Sequence, residues 1–347
     1  MFRSPSPGSR GPAPLLPALL ALLLLAACRE ATREVVSQTA NTVQGEAMGS
    51  YYRITYLGDA MPGLTGAVDS LLDDYNQELS AWVADSKLSQ FNRSDSGVDL
   101  RGTRHFLPNL ALARAVSERT DGSYDPTVAP LVAYWGFGTG QPRTTASVDT
   151  AEVARLRELV GLDHLELRDS FLRKDAPGVQ LDLNASAKGY GVDLISALLT
   201  AHGRPDHLVD VGGEMRAGGT KNGRPWTVGI RLPEEDASRI RAAGTLPLAA
   251  GRAIATSGNY LNYYRVDGAT FSHTIDPRTG LVERNALLSA SVLAPDCATA
   301  DAYATACMVL GPGAALRLVN ADPALEGYFL VRAADSTLQT VVSRGLR

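Results

Sequence analysis

Apolar positions change their spacing several times along the chain. Alternation over residues 51–57 predicts a β-strand, and the three-to-four spacing over 66–79 predicts an amphipathic helix. A second helical pattern covers 107–119 and stops before Asp121-Gly122, a good turn pair. Helix is expected again over 151–159, and a strand begins at 164–167. Residues 179–183 alternate and run into a helix over 187–202. Strands follow at 207–211, 226–230 and 253–257. The last third carries a helix over 299–310 and strands at 327–331 and 338–342. Strands and helices mix without a regular β-α-β beat. That favours an α+β fold with mixed or antiparallel sheets over a doubly wound one.

The first thirty residues follow a different rule. Arg3 and Arg10 precede a leucine-rich run over 13–27 that ends in small residues. A basic start, a short apolar centre and small residues at the end describe an export signal, and the run is too short for a comfortable membrane span. It closes on Leu25-Ala26-Ala27-Cys28, which resembles the lipobox of bacterial lipoproteins. Cleavage before Cys28 and acylation of its thiol are expected; an ordinary signal peptide with a chance cysteine is the other reading. Each buried methylene of the acyl chains adds about 0.8 kcal/mol to anchoring. The expected organisation is a signal peptide over 1–27, a polar tether over 28–44 and a catalytic domain over 45–347. It places the protein in the cell envelope, anchored to a membrane and facing the periplasm.

Composition narrows the class. The 347 residues are 45% hydrophobic and 20% charged, as in a folded globular protein, and the formal net charge is -4. Nucleic acid is excluded as the main partner, because phosphate backbones demand clustered Lys and Arg. Beyond Cys28 there remain Cys297 and Cys307, which sit ten apart in one expected helix. That spacing separates them by about 15 Å, too far for a disulfide.

Four segments combine glycine, carboxylate and hydroxyl residues at element ends. In the first, a strand ending at Asp182 turns through Asn184-Ala185-Ser186 into a helix bearing Lys188. A helix start with a nearby lysine suits an anion, or it is only a tight turn with a solvated lysine. In the second, Asp301 and Thr305 lie four apart and share a helical face among alanines. A carboxylate and a hydroxyl so placed suit a hard cation such as Mg²⁺; otherwise they are a surface Asp and a Thr bonding back to its helix. The third, His273-Thr274-Ile275-Asp276-Pro277-Arg278-Thr279-Gly280, is a turn signal that Asp276 can cap. His273 beside it is a general-base candidate or a polar strand end. The fourth couples Tyr124-Asp125-Pro126-Thr127-Val128 with Tyr134-Trp135-Gly136-Phe137-Gly138, aromatics beside glycines that form a slot for a flat ring or pack a core. No His-Glu-x-x-His, Walker loop, Gly-x-Ser-x-Gly elbow or Rossmann fingerprint competes.

Together and in this order the segments resemble the ApbE family, the FAD:protein FMN transferases. The likeness runs from Met48 to about Gly311. It adds Met48-Gly49-Ser50, Leu79-Ser80-Ala81-Trp82 with Asp85-Ser86, Phe91-Asn92, Val211-Gly212-Gly213 and Ala255-Thr256-Ser257-Gly258 to the four segments. The resemblance implies an ApbE-like fold of two closely joined lobes with flanking helices. It also implies FAD as donor, Mg²⁺ as cofactor, and FMN transfer to a Ser or Thr hydroxyl of exported redox proteins. By position, the metal ligands would be Asp301, Thr305 and the Ala185 carbonyl. Met48, Trp82, Tyr124, Asp125, Asp182, Lys188 and Ile275 match FAD-contacting positions, and His273 and Asp301 are the catalytic candidates. Ser50 and Glu214 depart from the usual pattern, and neither is expected to touch the metal cluster. FAD hydrolysis to FMN and AMP and a non-catalytic flavin-binding lipoprotein are the rival functions.

Overall fold

The computed structural model describes Met1, Phe2, Ser4, Gly8 and residues 38–233, 241–259 and 263–347. Cys28 and the expected signal peptide and lipobox fall outside the described residues, apart from those four isolated positions. Met1–Ser37 and Gln38–Arg347 separate as two units, and the fold lies in the second. The two expected lobes are joined closely enough to make that one unit.

Its frame is an eight-stranded sheet. The amino-terminal half enters as the hairpin β1 (Ala40–Ala47) and β2 (Ser50–Leu57). Because β1 starts at Ala40, residues 40–44 belong to the sheet and not to the tether. Helix α1 (Leu64–Leu79) follows, buried along Leu64, Val68, Leu72, Tyr75 and Leu79, and then the short α2 (Lys87–Arg93). A small antiparallel sheet of β3 (Gly97–Asp99), β4 (Leu165–Arg168) and β5 (Phe171–Lys174) brackets α3 (Phe106–Arg119), α4 (Ala129–Tyr134) and α5 (Thr150–Arg157).

The second half opens with α6 (Asn184–Ala201), which leads into β6 (His207–Val211) and β7 (Glu214–Gly218). The hairpin of β8 (Trp226–Arg231) and β9 (Ala242–Leu248) stands apart from the main sheet. Next come β10 (Ala253–Gly258), the hairpin β11 (Tyr263–Val266) and β12 (Ala269–Ser272), and β13 (Leu287–Ala294). Helix α7 (Cys297–Ala321), β14 (Glu326–Arg332) and β15 (Leu338–Val342) complete the domain. The main sheet runs β1-β2-β6-β7-β10-β13-β14-β15, with every neighbouring pair antiparallel. Helices α6 and α7 pack on it and on each other, and Ala300, Ala304, Met308 and Val292 share the largest apolar core.

Two expectations change in instructive ways. Residues 179–183 were expected to form a strand, and Val179, Leu181 and Leu183 are indeed buried in alternation. Their backbone, however, bonds to the Asn92 side chain and to the Pro126 carbonyl, so only one bridge, Val128 to Gln180, forms. The last long helix continues past 310 only after a break: Gly311 has φ 73° and ψ 172°, and Pro312 follows it.

Candidate functional site at the junction of two helices

The site is built where the start of α6 meets the start of α7. Asn92 fixes the approach to α6, donating to the Leu181 carbonyl at 2.9 Å and accepting from the Leu181 amide at 2.8 Å. The Asp182 amide donates to Pro126 O at 2.6 Å, which sets the Tyr124–Val128 segment beside the helix start. Asp125 Oδ1 accepts from the Thr127 amide at 2.8 Å, and Asp182 Oδ1 from the Asn184 amide at 2.8 Å. Burial raises the pKa of both carboxyls above the usual carboxylate value. Tyr124 is buried, and its hydroxyl lies 3.4 Å from Ser186 Oγ. Tyr124, Asp125 and Asp182 thus converge, as the sequence led us to expect. A small pocket of about 30 Å³ opens here, lined by Asp182, Asn184, Asn92, Phe137 and Ala81. Trp82, next to Ala81, is 68% exposed.

The opposing wall comes from α7. Asp301 is 3% exposed, and its Oδ2 accepts the Gly189 amide at 3.1 Å. Gly189 is four residues beyond Ala185, so this is the amide that helical geometry aims at the Ala185 carbonyl. Carbonyl and carboxylate therefore converge on one N–H. One turn on, Thr305 Oγ1 lies 3.2 Å from Ser257 Oγ of β10. Asp301 and Thr305 share a face as expected, and that face looks inward toward α6 and β10. The reading of a surface Asp is excluded.

The charges add a partner for Lys188. Lys188 Nζ donates to Glu214 Oε1 at 2.7 Å, and Glu214 is 2% exposed. Glu214 makes no hydrogen bond to Asp301, Thr305 or Ala185 among the described residues, but its charge acts on Asp301. Burial first, and then the Glu214 charge, push the Asp301 carboxyl up to about 8, against the opposing pull of Lys188. Burial works against the Lys188 ammonium, but Glu214 and Asp301 more than offset it, so its pKa lies above the ordinary lysine value. Lys188 thus pairs with Glu214 and feels the Asp301 carboxyl nearby, and Glu214 Oε2 has no hydrogen-bond partner among the described residues. Burial raises both carboxyls, so ionising the two together in this low-dielectric corner is expensive unless a cation joins them.

The remaining expectations divide. Met48 and Gly49 form the two-residue β1–β2 turn with φ 51° and 70°. Gly191 of α6 lies so close to the Met48 methyl that a Cβ there would stand 2.6 Å from it. Met48 also borders a cleft of about 580 Å³ with Ser50, Asp69, Asp73 and Asn76. The Ile275 side chain is committed to an apolar cluster with Trp135, Phe271 and Leu131, and its backbone bridges Val282. Asp276 caps its turn as expected, accepting the Arg278 amide at 2.9 Å and pairing with the Arg278 guanidinium. His273 is half-buried beside Phe137, their ring centroids 6.3 Å apart. The next residue, Thr274, donates to Asn259 Oδ1 at 2.6 Å, two residues beyond Ser257.

The donor set fits magnesium. Among the described residues no group of three or more His, Cys, Asp or Glu side chains is arranged for a metal. One carboxylate, one hydroxyl and one carbonyl, all oxygen, suit a hard cation that keeps waters and phosphate oxygens in its remaining positions. The unpartnered Glu214 oxygen marks the same corner as short of positive charge.

Comparison with known proteins identifies the family. The family model for the ApbE family matches residues 48–329. The FAD:protein FMN transferase of Vibrio cholerae serotype O1 is 36% identical over 319 residues, covering 89% of this chain and 92% of its own. The Salmonella typhimurium enzyme of the same name is 35% identical over 317 residues, covering 88% of each. The solved flavin transferase ApbE from Vibrio cholerae superposes with a TM-score of 0.78 at 32% identity, covering 88% of this chain and 98% of that one. The apo flavinyl transferase ApbE of Pseudomonas stutzeri gives 0.76 at 30%, covering 89% and 96%. Sequence, fold and site therefore agree that this chain belongs to the ApbE family.

Proposed function

We propose that the protein is a magnesium-dependent FAD:protein FMN transferase acting on Ser or Thr hydroxyls of acceptor proteins. The observation that carries this reading is the oxygen-lined, negatively charged corner of Ala185, Asp301 and Thr305 with Lys188 beside it. FAD lies over the start of α6, its diphosphate within reach of Lys188 and of the first helical amides. The acceptor hydroxyl oxygen attacks the FMN phosphorus, and the bond from that phosphorus to the oxygen of the AMP half breaks. AMP leaves, and FMN stays on the acceptor as a phosphoester. His273 takes the hydroxyl proton as general base. Bound Mg²⁺ would be held by Asp301, Thr305 and the Ala185 carbonyl and would supply charge neutralisation to the diphosphate. Lys188, held by Glu214, is aimed at the same charge. The exposed Trp82 and the buried Tyr124, Asp125 and Asp182 shape the flavin side, with Met48 and Ile275 at its margins.

In the cell the domain hangs from a membrane through lipidated Cys28, faces the periplasm and serves exported redox proteins. Hydrolysis of FAD uses the same residues with water in place of the hydroxyl. Mixing the protein with FAD, Mg²⁺ and a peptide carrying a Ser-Gly-Ala-Thr-like acceptor, followed by mass spectrometry, separates the readings. A peptide heavier by one FMN supports the transferase. Free FMN and AMP with unmodified peptide support the hydrolase, and intact FAD supports a binding protein. The intact mass of the enzyme tests self-modification at Gly268-Ala269-Thr270, which is expected to be absent.

A further inference from the structure

Helices α6 and α7 meet along two stripes, each with a residue every four positions. On α6 the stripe is Ala185, Gly189 and Asp193; on α7 it is Cys297, Asp301 and Thr305. Asp193 belongs to neither the proposed metal ligands nor the flavin contacts. Its carboxylate accepts the Cys297 amide at 2.9 and 3.0 Å and the Ala298 amide at 3.0 Å. These are the first two amides of α7, which a helix cannot satisfy internally. The helix's own cap, Asp296, takes the Thr299 amide at 2.8 Å. Asp193 thus does from another helix what a local cap does from the preceding residue, and Arg216 of β7 pairs with it from the far side.

Four residues earlier, Gly189 brings the backbones together. A Cβ there would stand 2.3 Å from the Cys297 carbonyl oxygen and 2.8 Å from Ala298 Cα, and no side chain can move aside to relieve it. That close approach lets the Gly189 amide reach Asp301. The seam therefore has a clasp at Asp193, a contact at Gly189, and the proposed metal ligands at and beyond it.

We propose that Asp193 is a positioning residue for the metal site: by gripping the first amides of α7, it sets the register of the Asp301–Thr305 face against the Ala185 carbonyl. The proposal rests on the metal reading above and adds a residue to it. A shift of one ligand by about 1 Å costs a metal site much of its affinity, and loss of supporting contacts costs about 10–100-fold.

The test is Mn²⁺ binding to the full chain, followed by electron paramagnetic resonance without substrate, with melting temperature measured in parallel. Wild type is expected to bind one ion and Asp301→Asn none. Asp193→Ala is expected to bind about 10–100-fold more weakly, with Asp193→Asn, which keeps one acceptor oxygen, falling between. Gly189→Ala is expected to weaken binding at least as much as Asp193→Asn. A folded Asp193→Ala with wild-type Mn²⁺ affinity overturns the proposal and leaves Asp193 a structural cap. If the alanine variant does not fold, wild-type affinity in Asp193→Asn overturns it equally. If wild type binds no Mn²⁺, the metal reading itself falls and takes the proposal with it.

Discussion

The α6–α7 seam and the aromatic platform around Trp135 spend their polar groups in opposite ways. On the platform, Trp135 Nε1 donates to Gly280 O at 2.8 Å and the Tyr264 hydroxyl to Trp135 O at 2.6 Å. Phe271 packs against both rings at 5.6 and 5.4 Å, and the Arg143 guanidinium lies 4.9 Å from the Tyr134 ring centroid. Most of its polar atoms are satisfied by neighbours within the platform. At the seam, the buried Glu214 pairs with Lys188 through one carboxylate oxygen, and its other oxygen has no partner among the described residues. Apart from Arg143 Nε, which has no partner among the described residues, the platform satisfies itself, and Phe271 and Ile275 on either side of His273 pack into it. The seam is completed by what it binds, and its unpaired charge is the price of that readiness.

Substitutions that exchange these properties test the contrast. The largest effect is expected from Asp301→Asn, which removes the proposed metal carboxylate and nearly preserves its volume. FMN transfer should fall at least about 1000-fold, while the melting temperature holds or rises because a buried carboxyl that is costly to ionise is gone. Parallel kinetics and calorimetry read both. Trp135→Ala should do the reverse. Truncating this buried ring should cost about 3–5 kcal/mol in urea unfolding, and the transfer rate per folded molecule should stay within a few-fold of wild type. Equal loss of activity and stability in both variants would erase the distinction.

Glu214→Gln sharpens the reading of the seam. Loss of the Lys188 counterion should lower kcat/KM for FAD by about 10–100-fold, with the fold intact. An unchanged kcat/KM would return Glu214 to the bystander role the sequence assigned it. The smallest effect is expected at His105, which is buried between the Tyr75 and Tyr190 rings, each 5.9 Å away. Neither of its ring nitrogens has a partner among the described residues. Burial holds its pKa below the ordinary histidine value. As pH falls through that ordinary value, the unfolded chain takes up a proton that folded His105 resists, so stability declines toward acid. His105→Phe should stabilise the protein by about 1 kcal/mol near pH 5 and flatten the acid limb in unfolding titrations. It should not abolish that limb, because His207 is shifted the same way by burial.

How much of this could be read in advance follows from the range of each interaction. Helical period placed Asp301 and Thr305 on one face and ended their helix at 310, just before Gly311. The turn at Asp276 was legible because turn chemistry is local. Strand β1 was not. Its burial alternates between exposed and half-exposed positions with mixed polar residues, so no apolar period marks it. The 179–183 segment carried the right alternation, but a side-chain clamp from Asn92 took the place of a sheet partner. The pairing of Glu214 with Lys188 was not legible because the partner lies on α6, and nothing in the local sequence reports an ion pair across the fold. Asp193 and Gly189 were visible only as members of a motif. Their roles required the position of α7.

The most direct measurement is transfer with the metal withdrawn and returned. Protein treated with EDTA is mixed with FAD and acceptor peptide, Mg²⁺ is titrated back, and peptide mass and released AMP are followed together. We expect no modification until Mg²⁺ is added, and then one FMN per peptide with one AMP for each. Full transfer in EDTA, or AMP release with the peptide unmodified at every Mg²⁺ level, would contradict a magnesium-dependent FMN transferase.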